Sequence, residues 1–190
     1  ALASLAFLVL AVPVRLDDRA SPPGPSLDGL AFYSGSLVVG EGPGQVALAD
    51  DEPLIRWLQD HVRGVVTVAE APGDDYQYTS RIASFVGLPT PIGWPYHERQ
   101  QRRPYEPSID IRLTDMRELY LSEDPGRVAE LLRRYDVRVI VFGVSERRLV
   151  ADQLVAEAVR HGEVLLAAPC VEEAFRSGDS FIATVDQACL

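Results

Sequence analysis

Between Arg81 and Arg103 the chain gathers side chains capable of recognition chemistry: Trp94, Tyr96, the pair His97-Glu98, and arginines at 99, 102 and 103. Arginine pairs bidentately with phosphate or carboxylate, and an aromatic ring offers a face to the apolar side of a sugar. His97 and Glu98 are adjacent, so on a helix they point about 100° apart and do not chelate one metal. A nucleophile–base pair there needs a partner from elsewhere, such as Ser80, Thr90, Asp115 or Glu70. The pattern points to a binding surface, with His97, Arg102 and Arg103 as donors, Trp94 and Tyr96 as a stacking platform, and Glu98 accepting from hydroxyls or holding an arginine. The competing reading packs Trp94 into the core and pairs the arginines with the chain's many carboxylates.

The backbone around these residues is constrained. Arg81–Val86 reads as a short helix ended by Gly87, a residue suited to a left-handed cap. Pro89, Pro91 and Pro95 then fix their own φ and restrict the residues before them. Upstream, Val65–Ala69 is β-branched and apolar, as in a buried strand. Glu70 stands at its carboxyl end, followed by Asp74, Asp75 and Tyr76. In open α/β sheets ligands bind at the carboxyl ends of strands, which makes these candidates; a solvated loop with a helix cap is the alternative.

The remaining pattern alternates strands and helices. Asp50-Asp51-Glu52-Pro53 opens a helix with apolar residues at 54, 55, 57, 58 and 62. Ile109–Leu121 is helical and carries Arg112, Asp115 and Tyr120, and a further helix follows Pro125. Val137–Gly143 is the clearest strand, and Ser145–Arg160 is helical. Val164–Ala167 and Phe181–Val185 read as strands, with a short helix over Val171–Arg176 between them. Gly35–Gly44 reads as a glycine-spaced loop. The whole predicts an α/β fold: a three-layer sandwich with a mainly parallel, Rossmann-like sheet.

Composition narrows the partners. The 190 residues are 47% hydrophobic and 24% charged, as in a globular domain. A net charge of −10 argues against a nucleic-acid partner. All 18 basic residues are arginine and asparagine is absent, so a Schiff-base or P-loop lysine and an Asn-linked glycan are excluded. Rossmann, P-loop, G-x-S-x-G and H-E-x-x-H patterns are missing, and no metal or other cofactor is expected. His61 and His161 suit helix C-termini. Cys170 and Cys189 form either one disulfide outside the cytoplasm or two small buried thiols.

Ala1–Val14 is almost wholly apolar but shorter than the ~20 residues of a full span. Residues 1–19 are read as the end of a transmembrane helix with its exit segment. A strand or helix packed on the core is the alternative. Residues 20–26 form a Pro-rich linker, and 27–190 a single soluble α/β domain.

These residues in this order resemble the YYY family of uncharacterised polytopic membrane proteins, described as glycosyltransferase-like. The resemblance spans Leu27 to Arg147. It rests on Leu-Asp-Gly-Leu-Ala-Phe at 27–32, Ile-Arg-Trp-Leu at 55–58 and Glu-Ala-Pro-Gly-Asp-Asp-Tyr at 70–76. It continues through Arg81-Ile-Ala-Ser-Phe, Gly87-Leu-Pro-Thr, Gly93-Trp94, His97-Glu98, Arg102, Arg112 with Asp115 and Tyr120, and Tyr135–Gly143 with Glu146-Arg147. Where the family carries a Trp before the arginine, this chain has Gln101. The resemblance implies a soluble C-terminal domain on the extracytoplasmic side of the cell membrane. Its partners would be the membrane half of the same polypeptide and a sugar or lipid-phosphate ligand, with the catalytic carboxylate in the membrane half. The candidate binding set is Glu70, Tyr76, Arg81, Trp94, His97, Glu98, Arg102, Arg112 and Asp115. Two other readings are kept: a non-catalytic assembly module, and a free-standing hydrolase using Glu70, His97 or Asp115.

Overall fold

The structure is a computed structural model that describes residues 6–7, 9–14, 26–35, 37–39, 45–153 and 158–190. It divides into two compact units, Ala1–Glu52 and Pro53–Leu190. The expected linker at 20–26 lies almost wholly outside the described residues.

In the first unit residues 9–14 are helical, and among the described residues no helix is long and apolar enough to cross a membrane. Strands β1 (Leu37–Val39) and β2 (Gln45–Ala47) pair antiparallel, so the expected loop over 35–44 contributes a strand on its N-terminal side. Tyr33 and Leu48 are buried here.

The second unit is built on a four-stranded sheet of order β3 (Thr67–Ala69), β4 (Val137–Phe142), β6 (Ser180–Val185), β5 (Val171–Ser177). Only β3 and β4 are parallel; β4–β6 and β6–β5 are antiparallel. The fold is therefore mixed α/β, and the expected mainly parallel sheet is corrected. The error lies in the C-terminal third. Val164–Ala167, read as a strand, ends a helix, while Val171–Arg176, read as a helix, is edge strand β5. Glu172, Glu173, Ala174 and Arg176 have respectable helical propensity, but tertiary pairing with β6 across the turn at Gly178 (φ 59°) overrides it. A hairpin needs only a short turn, whereas another parallel strand would need a long crossover.

The helices of this unit are α1 (Glu52–His61), α2 (Arg81–Val86), α3 (Pro95–Gln101), α4 (Glu106–Leu121), α5 (Pro125–Arg134), α6 (Val144–Gln153) and α7 (Ala158–Ala167). Helix α5 starts where Asp124 accepts the Gly126 N–H at 2.8 Å, and Pro125 occupies its first turn. Its Val128, Leu131 and Leu132 join Met116, Leu119 and Tyr120 of α4 and Ile140, Phe142 and Phe181 of the sheet in the main core. Gly162 of α7 lets that helix lie close to the sheet: a Cβ there would meet Phe181 and Phe142 at 3.1 and 3.2 Å. His161 beside it is buried within α7, away from the C-terminal position expected for it. His61 does end α1, its ring nitrogen 2.9 Å from the Trp57 carbonyl. Cys170 and Cys189 form a disulfide that ties the start of β5 to the C-terminal turn, with Cα atoms 5.7 Å apart.

Candidate functional site

Parallel pairing of β3 and β4 places their carboxyl ends side by side, so residues leaving the two strands meet. Glu70 leaves β3, and Gly143 to Glu146 leave β4. Between them lies Arg81, the first residue of α2. Its guanidinium donates to both Glu146 oxygens, at 3.1 and 2.6 Å, and lies 3.7 Å from Glu70. Every member is buried: Glu70 is 1% exposed, Arg81 2% and Glu146 0%.

Each carboxylate also serves the backbone. Glu70 accepts from the N–H groups of Ile82 and Ala83 at 2.9 and 3.0 Å, capping α2 from a distance in sequence. Glu146 accepts from Ala71 at 2.7 Å and from Gly143 at 2.8 Å. The Tyr120 hydroxyl donates nearby to the Val141 carbonyl at 3.0 Å. Burial pushes the Glu70 carboxyl up to about 7; Arg81 and the two backbone donors oppose this, and the Glu146 charge adds to it. Nothing in this cluster is open to a ligand. Glu70 and Arg81, expected as binding residues, are interior fasteners of the fold.

A second constellation lies on the surface. Asp75 accepts from the N–H groups of Tyr96 and His97 at 3.1 and 3.2 Å, supplying the α3 cap that Trp94 cannot. Tyr76 beside it places its hydroxyl 2.8 Å from His97 Nε2. The rings of Tyr76, Trp94 and His97 lie 5.1 to 5.6 Å apart, with Tyr96 6.1 Å beyond His97. Trp94 is held by its indole N–H on the Thr79 carbonyl at 3.3 Å and is half-buried, while Tyr76 is 73% exposed. Tyr76 has φ 62°, a left-handed conformation uncommon for a bulky residue.

Glu98 faces back toward the proline turn, accepting the Gly93 N–H at 2.7 Å and pairing with Arg102 at 3.2 Å. A Cβ at residue 93 would sit 3.2 Å from that same carboxylate oxygen, closer than most Cβ contacts. Arg102 and Arg103 are exposed, and Arg99 pairs with Asp110. Arg112 donates to the Pro91 carbonyl at 3.2 Å, joining α4 to the proline turn. Asp115 is elsewhere: it accepts from Tyr135 and pairs with Arg134 at 3.0 Å, where α4 meets α5.

The expected binding set thus falls into three groups. Tyr76, Trp94 and His97 come together at the surface, with Glu98 and Arg102 on the same helix. Glu70 and Arg81 are buried together. Arg112 and Asp115 support α4. Glu70, His97 and Asp115, the trio a hydrolase would need, lie in three separate hydrogen-bond networks. Among the described residues no group of three or more His, Cys, Asp and Glu side chains is arranged to hold a metal ion. One important residue was not singled out as a candidate from sequence, Glu146. The rule that drew attention to Glu70, a polar residue just past a strand's carboxyl end, applies equally to Glu146 three residues after Gly143.

Comparison with family models, with curated proteins and with solved structures finds no match to this chain.

Proposed function

We propose that the 94–103 region with Tyr76 is a recognition surface for a sugar or lipid-phosphate group, on the extracytoplasmic domain of a membrane glycosyltransferase-like protein. The observation that carries this reading is the Tyr76–Trp94–His97 cluster: three rings in contact, anchored by hydrogen bonds, with Tyr76 kept exposed at a strained φ. Strain of this kind persists where the surroundings over-determine it, and it concentrates at functional positions. The ring edges and faces supply apolar contact, His97 and the tyrosine hydroxyls supply hydrogen bonds, and exposed Arg102 and Arg103 supply charge for a phosphate.

The Cys170–Cys189 disulfide supports the extracytoplasmic assignment, since such bonds persist in oxidising compartments. The partner would be the membrane half of the same polypeptide, whose catalytic carboxylate acts on the bound group. In the same reading the second unit is three-layered. Val139 and Val141 of β4 are buried on the sheet face opposite Ile140 and Phe142, and Trp57 of α1 stacks at 5.9 Å on Phe175 of β5, whose cross-strand partner Ile182 pairs with Val141.

An assembly module is the second reading, favoured by the exposed Tyr96, Tyr105 and Ile111 around α3 and α4. Tryptophan fluorescence separates the two. In a Trp57→Phe background Trp94 reports alone, and a soluble oligosaccharide or short-chain isoprenyl phosphate should change its emission saturably. An unchanged spectrum with both probes, alongside full activity of the parent protein carrying His97→Ala and Glu98→Ala, would favour assembly.

A further inference from the structure

Residues 71–80 carry Asp75 and Tyr76 to the aromatic surface, and the buried cluster grips this segment at both ends. At its start the Ala71 N–H donates to Glu146. At its end Arg81 is locked bidentately on the same carboxylate. Between them Ser145 donates to the Tyr78 carbonyl at 2.7 Å, and the Arg81 guanidinium lies 5.5 Å from the Tyr78 ring centroid. Two residues of the segment, Tyr76 and Ser80, adopt left-handed φ of 62° and 55°. Such conformations must be held from outside.

We infer that Glu70, Arg81 and Glu146 are positioning residues for the Tyr76–Trp94–His97 surface, and that the charge on the Glu70–Glu146 pair is transmitted through residues 71–80 to the rings. Its relevance to ligand binding rests on the recognition reading above; the coupling itself does not. The groups facing Glu70 are Arg81 from α2, Glu146 from α6 and Tyr120 from α4. With both carboxylates ionised the cluster carries one negative charge in excess; with Glu70 protonated it is neutral. Protonation also turns one Glu70 oxygen into a donor, so the N–H groups of Ile82 and Ala83 lose part of their acceptor. The start of α2, which closes the segment, then shifts relative to Glu146. Because burial holds Glu70 near 7, this exchange falls in the neutral range.

The test is an NMR pH titration of the 190-residue protein without ligand, from about pH 5 to pH 9, with Glu side-chain carboxyls labelled. The Tyr76 amide and Trp94 indole N–H should show a transition whose midpoint coincides with that of the Glu70 carboxyl carbon. In Glu70→Gln that transition should vanish. If the Trp94 and Tyr76 signals ignore the Glu70 midpoint, or keep their transition in Glu70→Gln, the inference is overturned. The wild-type carboxyl measurement decides this even if Glu70→Gln fails to fold. Isoprenyl phosphate added to the same sample tests recognition separately: ligand-silent rings reject that reading and leave the pH coupling to stand or fall on its own midpoints.

Discussion

Glu70 and Asp75 stand five residues apart and perform the same local task in opposite surroundings. Each accepts two backbone N–H groups at the start of a short helix, Glu70 at α2 and Asp75 at α3. Glu70 is sealed with Arg81 and Glu146, whereas Asp75 is half-exposed beside Tyr76. The buried cluster at both ends of this segment fixes geometry, and its exposed middle presents rings. The difference locates function: a site must be both held and reachable, and the two requirements are divided between the ends and the middle of one ten-residue segment.

The comparison predicts a steep ranking of substitutions. Glu146→Ala removes the bidentate partner of a buried guanidinium and orphans the N–H groups of Ala71 and Gly143. It should cost ~3–5 kcal/mol in urea unfolding, the scale of a broken buried pair. Replacing Cys170 and Cys189 with serine opens a link between residues 19 apart in sequence. It should cost about 3 kcal/mol by the loop-closure argument, read as a lower midpoint under otherwise identical oxidising conditions.

Next comes pH. The folded Glu70 carboxyl keeps its proton up to about 7, against a usual 4.5. The folded chain therefore binds more protons than the unfolded chain between those values. The Glu70 contribution to stability is fully present below about pH 4.5, falls as pH rises toward 7, and is level beyond. Glu70→Gln should flatten that slope in thermal melts taken across the range.

The smallest stability effect should come from the exposed middle. Tyr76→Gly gives up ring contacts but relieves a left-handed φ, so its unfolding free energy should stay within about 1 kcal/mol of wild type. If it is instead as damaging as Glu146→Ala, the division between holding and presenting is wrong.

Much of this was legible in the sequence, for identifiable reasons. The αL cap at Gly87 (φ 74°) follows from glycine's freedom after a short apolar helix. Strand β4 follows from its β-branched run. The grouping of Trp94 with His97 follows from their three-residue spacing at the start of α3. The burial of Glu70 and Arg81 was not legible, because charged residues are interior only when paired and the main partner, Glu146, is 65 residues from Arg81. The antiparallel half of the sheet was missed because the composition of β5 suits a helix, and only its pairing with β6 makes it a strand. The contact between Tyr76 and the rings depends on a left-handed tyrosine that propensity would not place there.

The most direct test of the recognition surface is an NMR titration of the whole protein with a short-chain isoprenyl phosphate and, separately, with a soluble oligosaccharide. The account predicts saturable movement of the Trp94 indole and His97 ring signals with at least one of them, reduced in Tyr76→Gly while the protein stays folded. Signals that never move with either ligand, in a protein whose remaining spectrum is that of the folded state, would contradict it.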